Sequence, residues 1–373
     1  MYYVGVMSGT SCDGVDVSIV DFDDSKATQC KVIAAQTTSY NDSINKSLSK
    51  VIANQAIPIS LISQLDAELG MFYAAAINQL LSLHSIESSD VIAIGLHGQT
   101  VCHQPKSEAN QKLTNTIQLG SASIVTQQTG IDTVAHFRQM DVAFGGQGAP
   151  LAPALHQQLF KRTDETVVVL NLGGIANITV LQGDDVIGFD TGPASCLMDE
   201  FIQVHQRVGF DAAGLWASAG KVEKDLLTRF LQDEYFHLPY PKSTGRELFN
   251  MTWLNNHLVD HFKSEAFNPQ DIQRTLLQLT VQSIAMALQQ IEGKIDQMVV
   301  CGGGVHNEFL MQQLQHEFDF MVCSSTEYGY NPDFVEAILM AWLANQNMNN
   351  CSLALESITG CSKPHVYGVR YRC

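Results

Sequence analysis

Val4-Gly5-Val6-Met7-Ser8-Gly9-Thr10-Ser11-Cys12-Asp13-Gly14-Val15-Asp16-Val17-Ser18-Ile19-Val20 runs apolar, then tight and polar, then apolar again. That pattern predicts two strands joined by a turn built from Gly, Ser, Thr and Asp. Such a turn gathers backbone N–H groups and hydroxyls as a bound phosphate requires; it is equally the composition of an ordinary polar hairpin turn. Asp13 and Asp16 stand beside it, where carboxylates could hold Mg²⁺ directly or through water. The stretch is not a P-loop, because no Lys-Ser/Thr follows the second glycine and a strand, not a helix, comes next.

The same design returns at Val167-Val168-Val169-Leu170-Asn171-Leu172-Gly173-Gly174-Ile175-Ala176-Asn177-Ile178-Thr179-Val180. Two such hairpins predict duplicated α/β lobes facing a common nucleotide, residues 1–160 and 161–373, with the extreme C-terminus free to pack back on the first lobe. Downstream, Gly188-Phe189-Asp190-Thr191-Gly192-Pro193 sets an aspartate at the end of a strand before a turn into a helix. Asp190 is either a carboxylate aimed at the ligand or a turn residue. In Gln297-Met298-Val299-Val300-Cys301-Gly302-Gly303-Gly304, three glycines follow a strand and leave backbone bare for a flat ring or a phosphate.

Between the hairpins, the apolar run Val91–Leu96 predicts a strand buried on both faces that ends at His97-Gly98-Gln99-Thr100. Polar groups at the carboxyl end of such a strand are where open α/β sheets bind ligands, although His97 is as readily a satisfied loop histidine. Arg138-Gln139-Met140-Asp141-Val142-Ala143-Phe144-Gly145-Gly146-Gln147-Gly148-Ala149-Pro150-Leu151 is expected to form a loop, not a helix. Its Arg138, Asp141 and Gln147 could bind sugar hydroxyls or a carboxylate; an interdomain linker is the plainer alternative. Pro241-Lys242-Ser243-Thr244-Gly245-Arg246-Glu247 is a basic loop rich in hydroxyls, and Glu336 lies on a helix expected over Asp333–Asn345. Helical periodicity by itself makes Glu336 a solvated surface carboxylate.

The 373 residues carry 45% hydrophobic side chains, enough for a sizeable core, and a formal net charge of −17 from 21 basic and 38 acidic residues. A chain this acidic is expected to grip neither nucleic acid nor an anionic membrane. An anionic substrate would need local cations or backbone donors. Nine cysteines without metal spacing, no secretory signal and no run of roughly 20 apolar residues predict a cytoplasmic protein with reduced thiols.

In this order, Met7–Asp16, His97–Thr100, Phe137–Leu151, Asn171–Gly174, Phe189–Pro193, Pro241–Glu247 and Cys301–Gly304 closely resemble the motifs of the anhydro-N-acetylmuramic acid kinases, over essentially the whole chain. The resemblance implies the two-lobed α/β fold of actin, hsp70 and hexokinase (ribonuclease H-like), with ATP in the interlobe cleft and Mg²⁺ as its companion. It implies an amino-sugar substrate, 1,6-anhydro-N-acetylmuramic acid, converted with ATP and water to N-acetylmuramic acid 6-phosphate in cell-wall recycling; a homodimer is left open. By position it implies that Gly9, Thr10, Ser11, Cys12, Asp13, Gly14, Val15 and Asp16 bind ATP phosphates, with Gly173 and Gly174 as the matching turn. Gly302, Gly303 and Gly304 would lie beside the adenosine and Asp13 near the metal. Asp190 matches the catalytic base, Glu336 a glutamate near the anhydro sugar, and His97, Arg138, Asp141 and Gln147 the sugar site. Three positions depart from the family pattern: Ala194-Ser195 replaces Gly-Asn, His136 replaces Asp, and Ala213 stands where an acidic or amide residue is usual. A simple sugar kinase of the same fold is the alternative, and a nucleotide-dependent chaperone-like module a more distant one.

Overall fold

The computed structural model describes residues 1–9, 12–22, 30–52, 56–104, 113–263 and 266–373. It divides into two compact units: Met1–Leu159 with Phe334–Cys373, and Phe160–Asp333. The sequence predicts a second lobe over residues 161–373 with only the extreme C-terminus free to return to the first. Instead, all 40 residues from Phe334 onward group with the first unit, because the helix Val335–Met348 is apolar nearly all round and buries itself there.

In the first unit, β1 (Tyr2–Ser8) and β2 (Gly14–Phe22) form the expected antiparallel hairpin, and β3 (Cys30–Ser39) continues it. On its other side β1 pairs in parallel with β4 (Val91–Gln104), which also pairs antiparallel with β5 (Asn115–Leu119) and in parallel with β6 (Thr133–Ala135). The C-terminal strand Val369–Tyr371 closes the edge against β6. One face of this sheet packs Val4, Val6, Val17 and Ile94 against Leu65, Leu69, Tyr73 and Ile77 of the helix Ile59–Leu83.

The second unit repeats the topology. Strands β7 (Val167–Leu172), β8 (Ile175–Gln182) and β9 (Asp185–Pro193) are an antiparallel meander, and β7 pairs in parallel with β10 (Gln297–Cys301), itself parallel to β11 (Met321–Ser324). Each unit thus carries a strand hairpin, a third antiparallel strand and two parallel strands in one order. This is the duplicated α/β architecture anticipated from the two glycine hairpins. The helices Ser195–Gln206 and Pro269–Leu288 fill the second core with Leu197, Phe201, Leu276, Leu279 and Ile284.

Three local expectations change. The strand from Val91 does not end at Leu96 but runs to Gln104; Gly98, at φ 78°, bends it so that its second half pairs with β5. Residues Phe137–Ala143 form a short helix instead of a loop, since the first glycine comes only at position 145. And the helix predicted from Asp333 is preceded by a short 3₁₀ turn, Pro332–Phe334.

The helix Val335–Met348 lies backbone to backbone on the first sheet. A Cβ on Gly5 would stand 1.8 Å from the carbonyl oxygen of Ala337, and one on Gly95 would stand 1.9 Å from that of Met340. Neither partner can move aside as a side-chain end could. Gly95→Ala should therefore lower the unfolding midpoint in a denaturant or thermal scan, by at least the ~1–3 kcal/mol of ordinary overpacking. An unchanged midpoint would show that the helix does not pack this closely.

Candidate active site

In the first unit the candidate residues gather at one end of the parallel strands. Because Val6 is level with Leu96 and Leu96 with Ala135, the turn after β1, His97 on β4 and Arg138 just beyond β6 share an edge, where open α/β sheets bind ligands. His97 is buried; its Nδ1 donates to the Gly98 carbonyl at 2.7 Å, so its Nε2 is left to accept from Arg138 Nε at 2.9 Å. That pairing fixes a neutral tautomer, and burial, reinforced by the adjacent guanidinium, pushes the imidazole down to about 3. His97 therefore aims Arg138, whose Nη1 also donates to the Gly148 carbonyl at 3.3 Å. Glu336 presents a solvent-accessible side chain. Its surroundings are nevertheless dense enough to raise the carboxyl above its usual range, with Arg138 pulling it back down.

Asp141 behaves differently from the sugar ligand that its loop position implied. It is 0% exposed, and its oxygens accept from Thr359 Oγ1 (2.7 Å), Tyr367 Oη (2.6 Å) and the Gly148 N–H (2.6 Å). With both oxygens occupied, the carboxylate anchors the glycine loop to the C-terminal segment. The Gln147 N–H donates to the Thr359 carbonyl at 2.8 Å, which leaves the Gln147 side chain exposed on the anchored loop.

Of the turn expected to bind phosphate, Thr10 and Ser11 lie outside the described residues. Gly9 offers its carbonyl to Gln99 Nε2 at 2.9 Å, and Cys12 takes a left-handed φ of 58°. Asp13 is exposed, Gly14 and Val15 are buried in the start of β2, and Asp16 accepts from Thr37 Oγ1 at 2.5 Å. Beneath the turn is a buried chain of hydroxyls: Ser8 to Tyr73 at 2.8 Å, Tyr73 to Tyr40 at 2.9 Å, and Tyr40 to Gln99 Oε1 at 3.2 Å. Burial pushes the Tyr40 phenol up to about 12 and holds Tyr73 well above its ordinary value, so both remain neutral donors. No local motif marks these tyrosines, since their partners are 33 and 65 residues away.

In the second unit, Asp190 sits on β9 opposite Asn177, beside a bulge that offsets the register between Ala176 and Asn177. Its Oδ2 accepts from Ser243 Oγ at 2.7 Å and from the Thr244 N–H at 3.0 Å, and its own N–H donates to the Lys242 carbonyl at 3.1 Å. Tyr235 Oη donates to the Asp190 carbonyl at 2.7 Å. The basic hydroxyl-rich loop thus cradles one carboxylate oxygen; among the described residues no hydrogen bond engages Oδ1. Burial raises the Asp190 carboxyl above its ordinary range, and the Thr244 and Ser243 donors partly restore it.

The second turn is held from behind. The carbonyls of Gly173 and Gly174 accept from the N–H groups of Ser195 (3.1 Å) and of Ala194 and Cys196 (3.0 and 3.1 Å). The departure at 194–195 is accommodated by main-chain bonds that any residue there can make. His136 takes a φ of 64° and meets Tyr371 Oη through Nε2 at 2.8 Å. Gly302 has a φ of 84° and lies where a Cβ would be 2.5 Å from Asn171 Oδ1, and a Cβ on Gly304 would be 2.4 Å from that of Leu172. Gly303 faces open space. The run is glycine because β7 crowds two of its positions, and the third leaves bare backbone exposed.

The base role that the resemblance implies for Asp190 needs an ionised carboxylate, and the Ser243 hydroxyl stabilises that form. Ser243→Ala should therefore move the acid limb of a kcat/KM profile to higher pH. A limb that stays in place, or moves to lower pH, would separate Asp190 from the limb.

Comparison with known proteins shows the family. The family model for anhydro-N-acetylmuramic acid kinase matches residues 1–373. A relative of that description from Pasteurella multocida (strain Pm70) is 44% identical over 374 residues, covering 100% of this chain and 97% of its own. One from Aliivibrio fischeri (strain ATCC 700601 / ES114) is 41% identical, covering 99% and 98%. Among solved structures, the activator of the 2-hydroxyisocaproyl-CoA dehydratase from Clostridium difficile, with bound ADPNP, aligns with a TM-score of 0.48 at 10% identity, covering 94% of this chain and 96% of its own.

Proposed function

The chain belongs to the anhydro-N-acetylmuramic acid kinase family, and from that membership we propose that it couples two events on 1,6-anhydro-N-acetylmuramic acid, opening the internal ether with water and phosphorylating O6 with ATP. The observation that carries the reading is the state of Asp190: partly accessible, held through one oxygen by Ser243 and Thr244, with the other oxygen free of described hydrogen bonds. A carboxylate oriented in this way can take a proton from water at the anomeric carbon.

In that step the water oxygen bonds to C1 as the C1–O6 bond breaks. O6 keeps the bonding pair and attacks the γ-phosphorus, the bond to the β-phosphate oxygen breaks, and ADP leaves. The water proton goes to Asp190 Oδ1 and then to solvent. The negative charge on O6 is taken up by the phosphoryl group, so the leaving ether needs no separate general acid.

Arg138, aimed by His97, and Glu336 bind the polar groups of the sugar, with the exposed Gln147 amide beside them on the loop that Asp141 anchors. The turn at Gly9–Asp16 and the turn at Gly173–Gly174 hold phosphates through backbone N–H groups, and the bare Gly302–Gly304 backbone receives the adenosine. Asp13 is an exposed oxygen donor at the first turn, and the described residues contain no cluster of three or more His, Cys, Asp or Glu able to hold a metal. That donor set suits Mg²⁺, which keeps most of its coordination for phosphate and water; when bound, it would neutralise phosphate charge. Among the described residues no disulfide joins any of the nine cysteines.

The test is ADP release by the purified protein with Mg-ATP, with and without the anhydro sugar. The sugar should stimulate release strongly, and Asp190→Asn should lower that rate by about 10²–10⁴ or more. Activity on free N-acetylmuramic acid or N-acetylglucosamine, with none on the anhydro sugar, would replace this reading with that of a simple sugar kinase. Glu336→Gln should reduce kcat/KM for the sugar by about 10- to 100-fold, the range for one hydrogen bond to a charged group. An unchanged value would remove Glu336 from the site.

A further inference from the structure

The loop that cradles Asp190 also carries a cation whose N–H groups make no hydrogen bond to a described residue. An acidic chain of net charge −17 that handles a nucleotide needs local positive charge where phosphate binds. The loop Pro241–Glu247 carries two basic side chains, Lys242 and Arg246, and they are placed differently. Lys242 donates to the carbonyls of Tyr235 and Phe236 at 3.1 and 3.2 Å and lies over the Tyr235 ring, so it braces the loop.

Arg246 is fixed through its main chain. Its carbonyl accepts from Asn250 Nδ2 at 3.0 Å, and the same amide binds the Glu247 carbonyl at 3.1 Å while the Asn250 Oδ1 caps the helix Met251–Phe262. The guanidinium comes to Gly174: Nη2 and Nε are 3.5 and 3.6 Å from where a Cβ on that glycine would stand. Of its acidic neighbours, Glu200 is 3.7 Å from Nη1, too far for a hydrogen bond, and Asp199, whose carboxyl burial raises, lies near enough for the guanidinium charge to pull it partly back down; the Arg246 side chain is 47% exposed. No hydrogen bond to a described residue engages its N–H groups, and the carbonyls of Gly173 and Gly174 face the other way, toward residues 194–196. A planar cation with five donors, held on a capped loop beside the Gly173–Gly174 turn, matches the oxygens of a phosphate.

We propose that Arg246 is a nucleotide phosphate-binding residue, holding the phosphate chain against the Gly173–Gly174 turn. This rests on reading that turn as a phosphate site. It gives the loop Pro241–Glu247 two functions from one backbone: Ser243 and Thr244 orient the base, and Arg246 binds the phosphate.

Titration calorimetry of the whole chain with adenosine, ADP and the β,γ-imido analogue of ATP tests this. Arg246→Ala should weaken both phosphorylated ligands by about 10- to 100-fold and leave adenosine unchanged. Arg246→Lys, which keeps the charge but loses the fork, should fall between. Gly174→Val separates the two claims. If it weakens the phosphorylated ligands while Arg246→Ala does not, the turn stands and the role of Arg246 is overturned. If it leaves binding intact, the turn itself is not a phosphate site and the proposal falls with it. Equal loss of adenosine and ADP in Arg246→Ala and Arg246→Lys would show that Arg246 only supports the fold.

Discussion

The helix Val335–Met348 can lie on the first sheet only because Gly5 and Gly95 have no side chains. Its carbonyls approach β1 and β4 to distances at which no Cβ fits, and that contact returns the chain to the first unit after the second has been completed. The consequence is chemical as well as structural. Glu336, in the first turn of the helix, comes under the influence of Arg138, two residues that sequence distance alone would assign to opposite halves of the protein.

Around that frame the functional side chains are held mostly by neutral or fully satisfied polar groups. His97 is kept uncharged by burial and by its bonds to Gly98 and Arg138, so it aims a cation without repelling it. Asp141 is buried, but three donors compensate its charge. Removing one partner would leave a desolvated carboxylate, costing about 1–3 kcal/mol or more. The phenols of Tyr40 and Tyr73 do similar work beneath the first turn. Asp190 is the exception: its described hydrogen bonds engage one carboxylate oxygen only, as suits the proposed base.

Much of this was legible in the chain. Both glycine hairpins, the parallel strands that follow them and the aspartate on β9 can be read from apolar runs broken by small polar residues, because strand and turn preferences are local. The loop Pro241–Glu247 was visible as basic and rich in hydroxyls, but its attachment to Asp190, 53 residues away through Ser243, was not. Asp141 shows the limit most clearly. A carboxylate in a glycine loop reads as a ligand, and only partners 218 and 226 residues distant, Thr359 and Tyr367, turn it into an anchor. The helical start at Phe137 was missed because the glycines of 145–148 coloured the residues before them. A return of the extreme C-terminus to the first unit is readable in the sequence, but its start at Phe334 is not, because an apolar helix does not declare which sheet it will cover.

The central claim is that water attacks carbon while the displaced O6 attacks phosphorus. Running the reaction in H₂¹⁸O and locating the label promptly by mass spectrometry tests it directly. The account predicts ¹⁸O on the C1 hydroxyl of the sugar phosphate and none in the transferred phosphate. Label in the phosphoryl group, with none at C1, would mean that water attacked phosphorus, and Asp190 would not be the base described here.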